Sequence, residues 1–126
     1  MTKKEPANGP DSSEQTEHTI RLSEQEFSSL KKVPGKTVRK IRYAYSSDGQ
    51  LAEIDVFQDD LAGLVLADFE FKSRKKKEAF RPPDFCLVDV TQDDTIAGGM
   101  LCGKKYSDIE NHLKDLGYTT LFLPRR

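Results

Sequence analysis

A chain of 126 residues can build one domain with a real core but not two ordinary ones. With 33% charged residues against 36% apolar ones, much of the charge must sit in tails, on helix surfaces or in a polar interior. The net charge of −1 provides no global field to draw in nucleic acid or a membrane surface, so any anion site has to be local.

Residues 1–16 are polar, lack apolar periodicity and carry Pro6, Gly9 and Pro10, which predicts a disordered tail. The domain is expected over 17–126. Residues 17–22 alternate weakly and predict a short strand. Ser23 with Glu26 makes a capping box, and Leu22 with Phe27 occupies the hydrophobic-staple positions. A helix over 23–32 follows, with Phe27 and Leu30 facing inward and Pro34 and Gly35 ending it.

Residues 38–45 (V-R-K-I-R-Y-A-Y) and 51–57 read as two strands around S-S-D-G-Q, with Asp48 and Gly49 as the hairpin turn. That turn places Ser47 opposite Gln50, Tyr43 opposite Ile54 and Arg42 opposite Asp55, with Glu53 on a diagonal to Arg42. Strand alternation puts Lys40 and Arg42 on one face. Ile41, Tyr43, Ile54 and Val56 take the other, the expected core side. Residues 64–71 (L-V-L-A-D-F-E-F) predict a third strand, with Asp68 and Glu70 on one side and Val65, Ala67, Phe69 and Phe71 on the other.

The basic run 72–77 reads as a solvated cluster rather than a nucleic-acid contact, because the rest of the chain leans acidic. Pro82 and Pro83 mark a turn, 87–91 a short strand and 92–100 a loop. Residues 107–116 predict a second helix with a Ser107–Glu110 capping box, an Ile109, Leu113, Leu116 stripe and Gly117 at its stop. Residues 118–123 could form a last strand.

Three strands therefore each carry a same-face charged pair: Lys40 and Arg42, Glu53 and Asp55, Asp68 and Glu70. A solvated face would hold them as cross-strand ion pairs worth roughly 0–1 kcal/mol each. A curled sheet would instead make a lumen in which carboxylates hold a hard cation and Lys and Arg hold phosphate oxygens. No other pattern competes. His18 and His112 lie far apart with no nucleophile–base arrangement, Gly98 and Gly99 lack the rest of a phosphate loop, and Asp93 and Asp94 read as a turn. Cys86 and Cys102 lack metal-ligand spacing and suggest a reducing, cytoplasmic setting. No apolar run approaches the ~18 residues of a membrane span.

The ordered series V-R-K-I-R-Y, E-I-D-V-F, A-G-L-V-L-A-D-F-E-F, R-P-P-D-F and D-V-T-Q-D-D resembles the second half of a CYTH domain, over about residues 17–101. That family is the triphosphate tunnel metalloenzymes. The resemblance implies an α+β chain whose antiparallel curved sheet forms half of a β-barrel tunnel, with two short helices. It further implies a triphosphate small molecule as ligand, Mg2+ or Mn2+ as cofactor, and hydrolysis of inorganic or organic triphosphates rather than adenylate cyclisation. By position, Lys40 and Arg42 resemble the phosphate-binding pair and Asp68 and Glu70 the acids near the metal. Glu53 and Asp55 resemble tunnel-facing acids that tune protonation or orient water, and Glu17 the first acid of a Glu-x-Glu strand.

The chain departs from the pattern in three places. Thr19 stands at the second acid of Glu-x-Glu, I-A-G-G at 96–99 replaces an aromatic-Asn segment, and the Glu-x-Glu-x-Lys signature is absent. The missing strands imply a homodimer or a second chain that completes the tunnel, or a longer parent. The competing expectation is a non-catalytic remnant that binds polyanions or a partner, or a purely structural fragment.

Overall fold

The computed structural model describes residues 1–7 and 9–122, and the chain divides into two units. In the first, Met1–Lys36 with Val90–Met100, strand β1 (Thr2–Pro6) pairs antiparallel with β2 (Gln15–Thr19), Lys4 lying opposite Glu17. Every residue of this ribbon is exposed. The stretch expected to be a tail thus gains backbone pairing without burial, and a lone two-stranded ribbon is marginal in water.

Helix α1 (Glu24–Lys31) begins as its sequence predicts. Ser23 Oγ accepts from Glu26 N at 3.1 Å, and the Glu26 carboxylate accepts from Ser23 N at 2.6 Å. Those bonds hold the Glu26 carboxyl below its ordinary range. The inward stripe is corrected, however. Phe27 and Leu30 are 58% and 47% exposed, and the helix buries none of its residues. Two apolar residues on eight give too narrow a stripe to hold a neighbour, so capping rather than packing sustains this helix. The expected loop 92–100 contains a 3-10 turn, Asp94–Ile96, capped by Asp93 Oδ1 on Thr95 N at 3.0 Å, and the chain turns helical again at Gly98.

The second unit, Thr37–Asp89 with the chain from Leu101 on, holds the antiparallel sheet β3 (Lys40–Ser47), β4 (Gln50–Phe57) and β5 (Val65–Phe69), in that spatial order. Asp48 and Gly49 both take positive φ, 51° and 76°, the backbone of a type I′ turn. That turn sets the expected register: Ser47 faces Gln50, Tyr43 faces Ile54 and Arg42 faces Asp55. Across the other edge of β4, Glu53 faces Asp68.

Helix α2 (Arg74–Ala79) carries the basic run behind a Ser73 cap, and Cys86 N donates to Pro83 O at 2.9 Å in the expected turn. Residues 87–91 join no ladder, since alternation alone does not make a strand without a paired edge. The single-turn α3 (Gly98–Leu101) ends on the fully buried Leu101. Helix α4 (Tyr106–Asp115) starts one residue earlier than its sequence suggests. Lys105 is the N-cap, its N–H donating to Asp108 Oδ2 at 2.8 Å, so Ser107 lies inside the helix. Ile109 and Leu113 are buried, Leu116 stays exposed, and Gly117 at φ 96° closes the helix.

The fold is therefore α+β, with two antiparallel sheets, four α-helices and no closed barrel among the described residues. None of the described helices is long and apolar enough to cross a membrane. The apolar core also sits elsewhere than expected. Ile41, Tyr43 and Tyr45 are exposed, whereas Phe57, Leu61, Leu64, Leu101, Ile109 and Leu113 are buried.

Tyr118, expected to open a last strand, instead closes this core. Its hydroxyl donates to Gly63 O at 2.7 Å and accepts from Val65 N at 3.0 Å. Burial pushes its phenol up, so it remains a donor at neutral pH. Leu121 N adds a bond to Gly63 O at 2.9 Å, residues 118–122 form no strand, and Leu123 lies outside the described residues. Tyr118→Phe leaves the Val65 N–H without its acceptor and takes one of two donors from Gly63 O. We expect it to cost about 1–3 kcal/mol in urea denaturation.

Candidate functional site

Arg42 and Asp55 lie directly opposite each other on β3 and β4, where Cβ atoms of an antiparallel pair are ~5 Å apart. The long guanidinium must then fold back over the short carboxylate. It donates from Nε to Asp55 Oδ1 at 2.7 Å and from Nη2 to Oδ2 at 2.9 Å, a two-point grip. Lys40, two residues earlier on the same face, donates from Nζ to the same Oδ2 at 2.5 Å. Its ammonium lies 5.6 Å from the centroid of the Phe57 ring, which faces it across the ladder.

Asp55 is the one buried charged residue among those described, with 6% of its surface exposed. Burial favours its neutral form, but the hydrogen bonds from Arg42 and Lys40 outweigh that and hold its carboxyl below the usual range. The same hydrogen bonding to Asp55 raises Arg42 further above its already high value, against the opposing effect of burial.

Arg42 also reaches along the diagonal, with Nη1 at 2.8 Å from Glu53 Oε2. Glu53 in turn faces Asp68, and one carboxylate oxygen from each of Glu53, Asp68 and Glu70 lies within 4.8 Å of the others. Glu53 is half-buried, while Asp68 and Glu70 are exposed. Glu70 lies just beyond β5, where its carbonyl accepts from Gln50 Nε2 at 2.8 Å. Ala44, Ser46 and Leu51 join the three acids in lining a shallow groove. An all-oxygen set of this kind fits a hard divalent cation such as Mg2+ or Mn2+. Four carboxylates against two cations also leave this face with an excess of negative charge.

Six of the seven residues singled out by sequence thus share one sheet face: Lys40, Arg42, Glu53, Asp55, Asp68 and Glu70. Glu17 lies in the first unit, on β2, with Oε2 3.9 Å from Lys4 Nζ. Two contributors were missed, the Phe57 ring and the Gln50 amide. The hairpin register that set Asp55 against Arg42 also sets Phe57 against Lys40, so that signal was present.

The face sets two anchored cations, Lys40 and Arg42, beside a cluster of carboxylate oxygens. The chain is similar to an inorganic triphosphatase of Nitrosomonas europaea, 38% identical over 79 residues, which covers 61% of this chain and 52% of that protein. It thus spans about half the length of this curated relative. No protein-family model matches the chain, and no solved structure matches it significantly.

Proposed function

We propose that the protein binds triphosphates together with a divalent cation and hydrolyses them once a second chain completes the site, in the manner of a CYTH-type tunnel. The observation that carries this reading is the Lys40–Arg42 pair held on Asp55 beside the Glu53, Asp68 and Glu70 carboxylates. The similarity to an inorganic triphosphatase supports the same ligand class.

Lys40 and Arg42 hold phosphate oxygens, and Asp68 and Glu70 hold the cation. Assignment of Glu17 to the cation set rests on the family resemblance alone. The family resemblance gives Glu53 and Asp55 the tuning of protonation or the orienting of the attacking water, and of the two Glu53 has the carboxylate open to water. Bound Mg2+ or Mn2+ supplies charge neutralisation on the phosphoryl oxygens. In-line displacement at phosphorus needs positioning and electrostatic support more than covalent chemistry, so a constellation of this kind suffices in principle.

A homodimer or a different second chain is proposed because the sheet has two outer strands, β3 and β5, and unpaired strand edges accept further strands. Cys86 and Cys102, which form no disulfide, accord with a reducing cytoplasm. The open sheet also favours a second reading, a non-catalytic clamp for polyanions, which needs no cation.

The deciding experiment is phosphate release from tripolyphosphate with Mg2+ or Mn2+ across a protein dilution series. Metal-dependent specific activity that falls on dilution is expected. Activity from a monomeric species removes the second chain from the proposal. Metal-independent binding without phosphate release at any concentration replaces the enzyme with the clamp.

A further inference from the structure

We infer that Asp55 is a positioning residue, a buried counter-ion that fixes Lys40 and Arg42 so that both cations meet an incoming polyphosphate together. The inference rests on the phosphate-binding reading above. It also separates Asp55 from Glu53, whose surroundings differ.

Both oxygens of Asp55 are occupied, Oδ1 by Arg42 Nε and Oδ2 by Arg42 Nη2 and Lys40 Nζ. Its side chain is 8% exposed, against 35% for Lys40 and 46% for Arg42. Substrate or water reaching this face therefore meets the cations and not the carboxylate beneath them. Glu53 has 41% of its side chain exposed, touches Arg42 through Nη1 and shares its other surroundings with Asp68 and Glu70. Glu53 can serve a cation or a water, whereas Asp55 is committed.

The donors left over point the same way. An ammonium has three N–H groups and a guanidinium five. After the bonds to Asp55 and Glu53, two remain on each of Lys40 and Arg42. These are carried on stems already held in place, so less side-chain freedom is lost when phosphate binds. The Phe57 ring opposite Lys40 limits the ammonium further.

Simple charge counting predicts the opposite of this inference, which makes it testable by sign. Removing a negative charge beside an anion site should tighten anion binding. If Asp55 positions the cations, Asp55→Asn weakens it instead. Tripolyphosphate affinity in Mg2+, measured by calorimetry well below the melting transition, is expected to fall by about tenfold or more.

Asp60→Asn removes an exposed charge outside the cluster and reports the bare charge effect, expected as unchanged or slightly tighter binding. Asp55→Glu restores a carboxylate and should recover part of the affinity. An Asp55→Asn protein that binds as tightly as wild type, or more tightly, overturns the inference.

Should the Asn variant not fold, 15N NMR of the wild type reads the anchoring directly with no ligand present. The Arg42 Nε–H should exchange far more slowly than those of exposed arginines, and equal exchange overturns the inference. Failure of the wild type to bind tripolyphosphate sinks the phosphate reading itself. A slowly exchanging Arg42 in that protein would leave Asp55 as a structural counter-ion, with no positioning role.

Discussion

Lys40→Gln combined with Arg42→Gln is expected to weaken tripolyphosphate binding by about a hundredfold or more. A hydrogen bond to a charged group is worth ~1.5–3 kcal/mol, and each ~1.4 kcal/mol is tenfold in affinity. Glutamine is the better choice over alanine, because two alanines would leave Asp55 buried with no donor. Stranding a buried charge costs ~3–5 kcal/mol, which would confuse lost binding with lost folding. The amides keep donors near Asp55 while removing both positive charges. Calorimetry at fixed ionic strength, paired with a thermal melt, separates the two effects. Affinity should fall steeply, while the melting temperature should fall less than in the double alanine variant. Small and equal effects on both would mean that the face is a set of solvated ion pairs and holds no phosphate.

Much of this face could be read from sequence because its determinants are local. Asp48 and Gly49 fix the turn, the turn fixes the register, and strand alternation then sends Lys40, Arg42, Glu53 and Asp55 to one side. Asp68 follows from the same alternation on β5. The environment of each charge was not legible. Asp55 and Glu53 look identical in the pattern E-I-D-V-F, yet the first is buried under two cations and the second is half-open. That difference comes from a bidentate grip and the neighbouring Phe57, which depend on rotamers rather than on spacing.

The misreadings share one physical cause. Periodicity says which residues lie on a common face but not whether anything covers that face. Phe27 and Leu30 share a helix side and remain exposed, as do Ile41, Tyr43 and Tyr45 on β3. Residues 87–91 alternate as a strand does but pair with no edge. Conversely, alternation puts Leu64 and Leu66 on the same side as Asp68 and Glu70, which taken alone would leave them exposed. Leu64 proves to be core, because the polar face gives way to packed side chains at that end of β5.

The core position of Leu64 makes a second strong test. Leu64→Ala is expected to destabilise the fold by about 2–5 kcal/mol, the range for a buried leucine truncated to alanine. Leu64 is 1% exposed and sits where several supports converge. Its carbonyl accepts from Phe57 N at 3.1 Å and its N–H donates to Leu61 O at 3.2 Å. Gly63, just before it, takes the Tyr118 hydroxyl and Leu121 N on its carbonyl, so the backbone cannot easily move to fill a void. Gly63 also has φ 111°, and a Cβ there would lie 2.8 Å from Thr120 Cγ2, so this approach of the chains is already close. A domain of this size has ~5–15 kcal/mol in all, so the loss is a large share of the total. Urea denaturation should show a lower midpoint with an unchanged slope. Leu51→Ala, at a position 66% exposed, is the control and should stay within ~0.5 kcal/mol of wild type. A Leu64 variant as stable as the Leu51 control would mean that β5 is not held by this core. The placement of Asp68 against Glu53 would then need another cause.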